Sequence, residues 1–149
     1  MARLRATVQG QDRVKKRILA LGPQVSEGVR HAILGGALAV DRSAKDSIQH
    51  GSKSGVVYKK YNPRRMHQAS APGEAPATDT GKLVAGITVV MDGDGLGASV
   101  ESRAGYSREL EFGTVNLGAR PFLTPALEKL RPKISKMIRD AIKKAGSAS

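Results

Sequence analysis

Pro23-Gln-Val-Ser-Glu-Gly-Val-Arg-His-Ala-Ile-Leu-Gly-Gly-Ala-Leu-Ala-Val-Asp-Arg-Ser-Ala-Lys-Asp-Ser-Ile-Gln-His50 places Val25, Val29, Ile33, Ala37, Val40, Ala44 and Ile48 three or four positions apart. That period puts them on one face of a long amphipathic helix. Pro23 suits its first turn, where a missing N–H is no loss, and Gly51 suits its end. The pair Gly35-Gly36 weakens the helix by about 1 kcal/mol per residue relative to Ala, so the helix bends there or another backbone comes close.

Working outward, residues 4–8 alternate weakly as a short strand, and 11–21 carry Val14, Ile18 and Leu21 at helical spacing. On the other side, 55–58 and 65–68 read as two strands of a hairpin around the turn Tyr61-Asn-Pro63. Residues 69–81 hold two prolines, two glycines and no large apolar side chain, which makes a long loop. We expect it to act as an interaction arm that adds little to subunit stability, with Thr78-Asp79-Thr80 capping the turn that contains Leu83 and Val84. A second strand pair, 87–91 and 98–103, flanks Asp92-Gly-Asp-Gly-Leu-Gly97, and 106–112 is a short helical segment. Leu123, Leu127, Leu130, Ile134, Ile138 and Ala141 mark a second long amphipathic helix. Thr124 is its expected N-cap, Pro125 lies in its first turn, and Pro132 should kink it. The expectation is one domain over 1–149, with a hairpin and loop at 61–81 and a flexible tail at 146–149.

The 149 residues include no cysteine, so thiolate chemistry, disulfides and cysteine-based zinc sites are excluded. Two Phe, three Tyr and no Trp leave the core to aliphatic side chains, and burial against neighbouring subunits would supplement it. With no run of eighteen apolar residues and no signal-peptide stretch at the start, the expectation is a soluble chain retained where it is made, without membrane contact. The net charge of +12 is uneven. Basic and acidic residues number 12 and 4 over 1–60, 6 and 7 over 61–120, and 7 and 2 over 121–149. Such a balance fits nucleic acid nearby, an acidic partner or solvated helix faces.

Catalytic constellations are not legible. His31, His50 and His67 are widely spaced, and no Gly-x-Ser-x-Gly elbow occurs. Asp92 and Asp94 resemble the start of a calcium loop, but the next ligand position is Leu96 and the bidentate glutamate is missing. Gly93, Gly95 and Gly97 lack the Lys-Ser/Thr ending of a phosphate loop. Glu109 and Glu111, two apart, point to different sides of a helix and read as surface or intersubunit salt-bridge residues. Arg64 and Arg65 read equally as phosphate contacts or as a solvated turn. No enzyme activity, cofactor or metal is expected.

Three segments carry a resemblance: Met66-His-Gln-Ala-Ser-Ala-Pro-Gly-Glu-Ala-Pro-Ala-Thr-Asp-Thr-Gly-Lys-Leu83, Tyr106-Ser-Arg-Glu-Leu-Glu-Phe-Gly-Thr114 and Ala119-Arg-Pro-Phe-Leu-Thr-Pro-Ala-Leu127. Together they resemble the tail-component family of siphophages, the neck or tail-completion proteins of long-tailed phages and gene transfer agents. The connection 115–118 is short for that pattern. The resemblance implies an α+β subunit, a small mixed or antiparallel sheet packed on two long helices. It also implies a structural virion protein forming a homo-oligomeric ring, expected as a hexamer, at the head-tail neck. Its partners would be further copies of itself, the neighbouring head-connector and tail-tube or terminator proteins, and genome DNA in the lumen without sequence recognition. Localisation would be the virion, and the host cytoplasm during assembly. Alternatives are a tail terminator or head-side stopper ring and, in another class, a non-specific nucleic-acid-binding protein. Interaction residues expected on this reading are Arg64, Arg65, His67, Pro72, Glu74 and Pro76, then Tyr106, Glu109, Glu111, Phe112, Gly113, Thr114, Arg120 and Phe122. In the family's pattern Tyr106, Glu111, Phe112, Gly113 and Thr114 form a signature turn, and Phe112 and Phe122, the only phenylalanines, are expected to tie that turn to the last helix.

Overall fold

The computed structural model describes residues 4–9 and 12–147. Along the chain run β1 (Leu4–Gln9), α1 (Asp12–Ala20), α2 (Pro23–His50), β2 (Val57–Tyr61), β3 (Arg64–Gln68), α3 (Lys82–Ala85), β4 (Ile87–Met91), β5 (Gly97–Ser102), α4 (Ser107–Phe112) and α5 (Leu123–Ser147). The class is α+β, with antiparallel sheets of order β1-β5-β4 and β2-β3.

α2 organises the core. Its whole predicted stripe, from Val25 to Ile48, is buried. One side of that stripe meets β4 and β5, and the other meets α5. In the register Val89↔Val100 and Met91↔Ala98, period-two alternation turns Ile87, Val89 and Met91 with Ala98 and Val100 toward the apolar cluster. α5 runs antiparallel to α2, since Gly28 lies beside Ala141 and Gly36 beside Ile134. A Cβ at Gly36 would stand 3.0 Å from Ile134 Cγ1, so the glycine pair serves close helix approach.

Several local expectations are corrected. Only Ile18 of the α1 stripe is buried, while Val14 and Leu21 are exposed; Gln11 lies outside the described residues. Gly81, at φ 76°, is the N-cap of α3, and no side chain caps it. α5 begins at Leu123, with Thr124 already inside its first turn, and continues through Pro132. It also takes in Gly146 and Ser147, whose hydroxyl donates to Lys144 O at 3.0 Å. The expected flexible tail is therefore helical there, and 148–149 lie outside the described residues. No helix among the described residues is long and apolar enough to cross a membrane.

Candidate interaction surface

Loop 69–81 joins the hairpin to α3, and its backbone is tied down rather than free. Glu74 accepts hydrogen bonds from Ser54 N at 2.9 Å, Ser54 Oγ and Ala71 N at 2.8 Å. These bonds hold its carboxyl below the usual carboxylate range. Gly73 N donates to Ala119 O at 2.8 Å, and Lys53 Nζ donates to Ser47 O and Ala75 O. Burial pushes the Lys53 ammonium down. Arg120 Nε donates to Ser70 Oγ at 3.0 Å and its Nη2 to Ser70 O at 3.1 Å, while Nη1 reaches Gly118 O at 2.8 Å. Pro76 is buried, and Pro72 lies against Gly118. The expected loose arm is therefore a strap. Composition argued for a small contribution to stability because it shows no large apolar side chain, yet the strap is held through backbone groups that composition does not reveal.

Alternation divides the hairpin into two faces. Tyr58, Lys60, Arg65 and His67 turn inward to the strap. Tyr58 and His67 pack edge to face with centroids 5.3 Å apart, and Lys60 and Arg65 both pair with Asp79. Arg65 is thus committed within the chain and is not a free phosphate contact. Val57, Lys59, Tyr61, Arg64, Met66 and Gln68 turn outward, and all are exposed. Tyr61 is 79% and Met66 64% accessible. Between the inner face, the strap and α4 lies a cleft of about 400 Å³ whose lining includes His67, Pro76, Tyr106 and Arg120. Four of the residues expected from sequence converge there.

The segment from Tyr106 to Thr114 is tied to α5 through Glu111, not Phe112. The Glu111 side chain, 4% exposed, accepts from the backbone N–H groups of Phe122 at 2.8 Å, Leu123 at 3.1 Å and Thr124 at 2.7 Å. A helix start leaves its first N–H groups without internal partners, and a carboxylate also complements the positive end of the helix dipole. Pro125 has no N–H to satisfy, so one carboxylate covers the opening of α5. Glu111 is thereby corrected from a surface salt-bridge residue to a buried helix cap. Phe122 is buried, as a packing anchor should be. Phe112 is 66% exposed and does not pack on it. Inward positions on α4 go to Ser107, Leu110 and Glu111, which leaves Phe112 on the outer side with Glu109.

Gly113 follows at φ 75°, where a Cβ would meet Leu117 O at 2.8 Å. Thr114 N donates to Leu117 O at 2.8 Å, and Thr114 Oγ1 accepts from Asn116 N. The turn is compact, and it leaves Val115 fully exposed.

Sequence reasoning did not find Lys53, Ser54 or Ser70, read Asp79 as part of a helix cap instead of the partner of Lys60 and Arg65, and missed the Lys15 ammonium bridging Asp92 and Asp94 at 3.2 Å each. That pair of carboxylates raises the Lys15 pKa and fixes the β4–β5 turn against α1. Most of these contacts join residues far apart in the sequence, and no local pattern pairs them.

Comparison of the chain with protein-family models, with curated proteins and with solved structures finds no match.

Proposed function

We propose that this chain is a non-enzymatic structural subunit that assembles into a ring, hexameric by the resemblance, at the head-tail neck of a long-tailed bacteriophage. There it completes the tail and joins it to the head, with genome DNA passing through the lumen. The tail-terminator and head-side stopper positions are neighbouring places for the same kind of ring.

One observation supports this reading most. The hairpin is a two-stranded ribbon, an arrangement of marginal stability by itself, and its outer face sets Val57, Tyr61 and Met66 in solvent. Tyr, Met and Arg are the residue types enriched at the centres of protein interfaces, and Arg64 lies beside the other two. Two polar groups that line the cleft serve architecture, Arg120 on the strap and Asp79 on the hairpin, as do Glu111 at the α5 cap and Glu74 in the strap.

Removing this chain from the producing phage tests the proposal. Filled heads and separate tails that no longer join are expected. Fully joined, infectious particles made without it would refute the role.

A further inference from the structure

The hairpin and α4 both contribute to the walls of the cleft, and each also carries exposed side chains that do not line it. The hairpin's outer face carries two cations, Lys59 and Arg64, around Tyr61 and Met66, and no acid. On α4, Glu109 and Phe112 are three apart and share one exposed side, with Arg108 at its border, and Val115, three residues past the helix end, is exposed as well. Glu109 makes no ion pair among the described residues, and neither do Lys59 and Arg64. Thus one wall offers apolar side chains with unpaired cations, and the other offers apolar side chains with an unpaired carboxylate. Two different, complementary patches on one subunit are what a head-to-tail contact needs, and such contacts close into rings when the rotation permits.

We propose that the outer face of the hairpin, with Tyr61 and Met66 at its centre, seats on Glu109, Phe112 and Val115 of the next copy of this chain. Lys59 and Arg64 then face Glu109 across the contact. This rests on the ring reading above and specifies which surfaces make the ring.

The chain has no cysteine, so introduced thiols are the only ones present. A Tyr61→Cys/Phe112→Cys double variant, treated at high subunit concentration with a short bis-maleimide, should give a ladder of covalent multimers. An equimolar mixture of the two single variants should stop at dimers, and each single variant alone should stay monomeric. Adding Lys59→Glu and Arg64→Glu to the double variant should weaken the ladder about tenfold, with partial recovery on adding Glu109→Lys. Circular dichroism of each variant checks that it is folded. The proposal is overturned by an absent ladder from the folded double variant, or by strong dimers from Tyr61→Cys alone, which mean hairpin on hairpin. Protection of the Tyr61→Cys thiol by a random-sequence DNA duplex, with no ladder, also overturns it and makes nucleic acid the partner. A ring in the particle whose hairpins face elsewhere would sink this contact and leave the neck assignment standing. A ladder from a chain missing from particles would do the reverse.

Discussion

Glu111 shows how one side chain can set the geometry of a whole segment. Its carboxylate serves three backbone donors at the start of α5 from a buried position, so Glu111→Ala strands those donors away from water. Hydrogen bonds to a charged group contribute about 1.5 to 3 kcal/mol each, and water entry offsets part of the loss. A destabilisation of about 2 to 3 kcal/mol is expected in urea unfolding, and a change under about 0.5 kcal/mol would show that the cap is dispensable. Glu74 gives a pH dependence. Its folded pKa lies below the ordinary 4.5, so its contribution is complete above that value and is lost as pH falls through the folded one. Melting temperature should therefore drop on acidification below 4.5, and Glu74→Gln should lower stability at neutral pH while flattening that drop. An unchanged acid profile in Glu74→Gln would remove Glu74 from the strap. Neither role was legible in the sequence. Glu111 and Glu74 look like ordinary surface acids, and what defines them is backbone N–H groups brought near by folding.

Elements were far more legible than contacts, because periodicity reports which face of a helix is buried without saying what covers it. The stripe of α2 is an instance: every position from Val25 to Ile48 on it is buried, yet the sequence does not say that Gly28 and Gly36 meet α5. The two glycines now separate in their predicted behaviour. Ala at position 28 would place its Cβ at 3.7 Å from Ala141, an ordinary contact, so Gly28→Ala should stabilise by about 0.5 to 1 kcal/mol through helix propensity. Gly36→Leu drives a larger group into Ile134 and should cost more than about 2 kcal/mol. Thermal melts of both variants check this, and equal effects would mean α2 and α5 are not closely packed. The loop at 69–81 misled for the opposite reason, since it lacks a hydrophobic pattern but is fastened by Glu74, Lys53 and Gly73. Replacing 71–77 with a Gly-Ser linker is accordingly expected to lower the melting temperature by several degrees, about 2 kcal/mol or more from lost hydrogen bonds. A variant that melts like the parent would restore the loose-arm reading.

For the whole molecule, the α+β layout is that of a small chain with one mainly aliphatic core and several exposed apolar side chains, those of the hairpin and of α4 among them. The sequence pointed to the class through two long amphipathic stretches and two strand pairs, and to the hairpin and signature turn as places of interest. It could not show that Phe112 would face solvent while Phe122 went inside, because a six-residue helix has room inward for only part of its apolar and capping side chains. In the proposed ring, the cationic hairpin face and the α4 face with its carboxylate would meet between copies. The most direct test is a three-dimensional reconstruction of purified phage particles with this chain located by a fused label. The proposed assignment predicts a closed ring of copies around the channel where head meets tail, each touching the next. Isolated single copies without mutual contact, or particles in which the chain is absent, would contradict it.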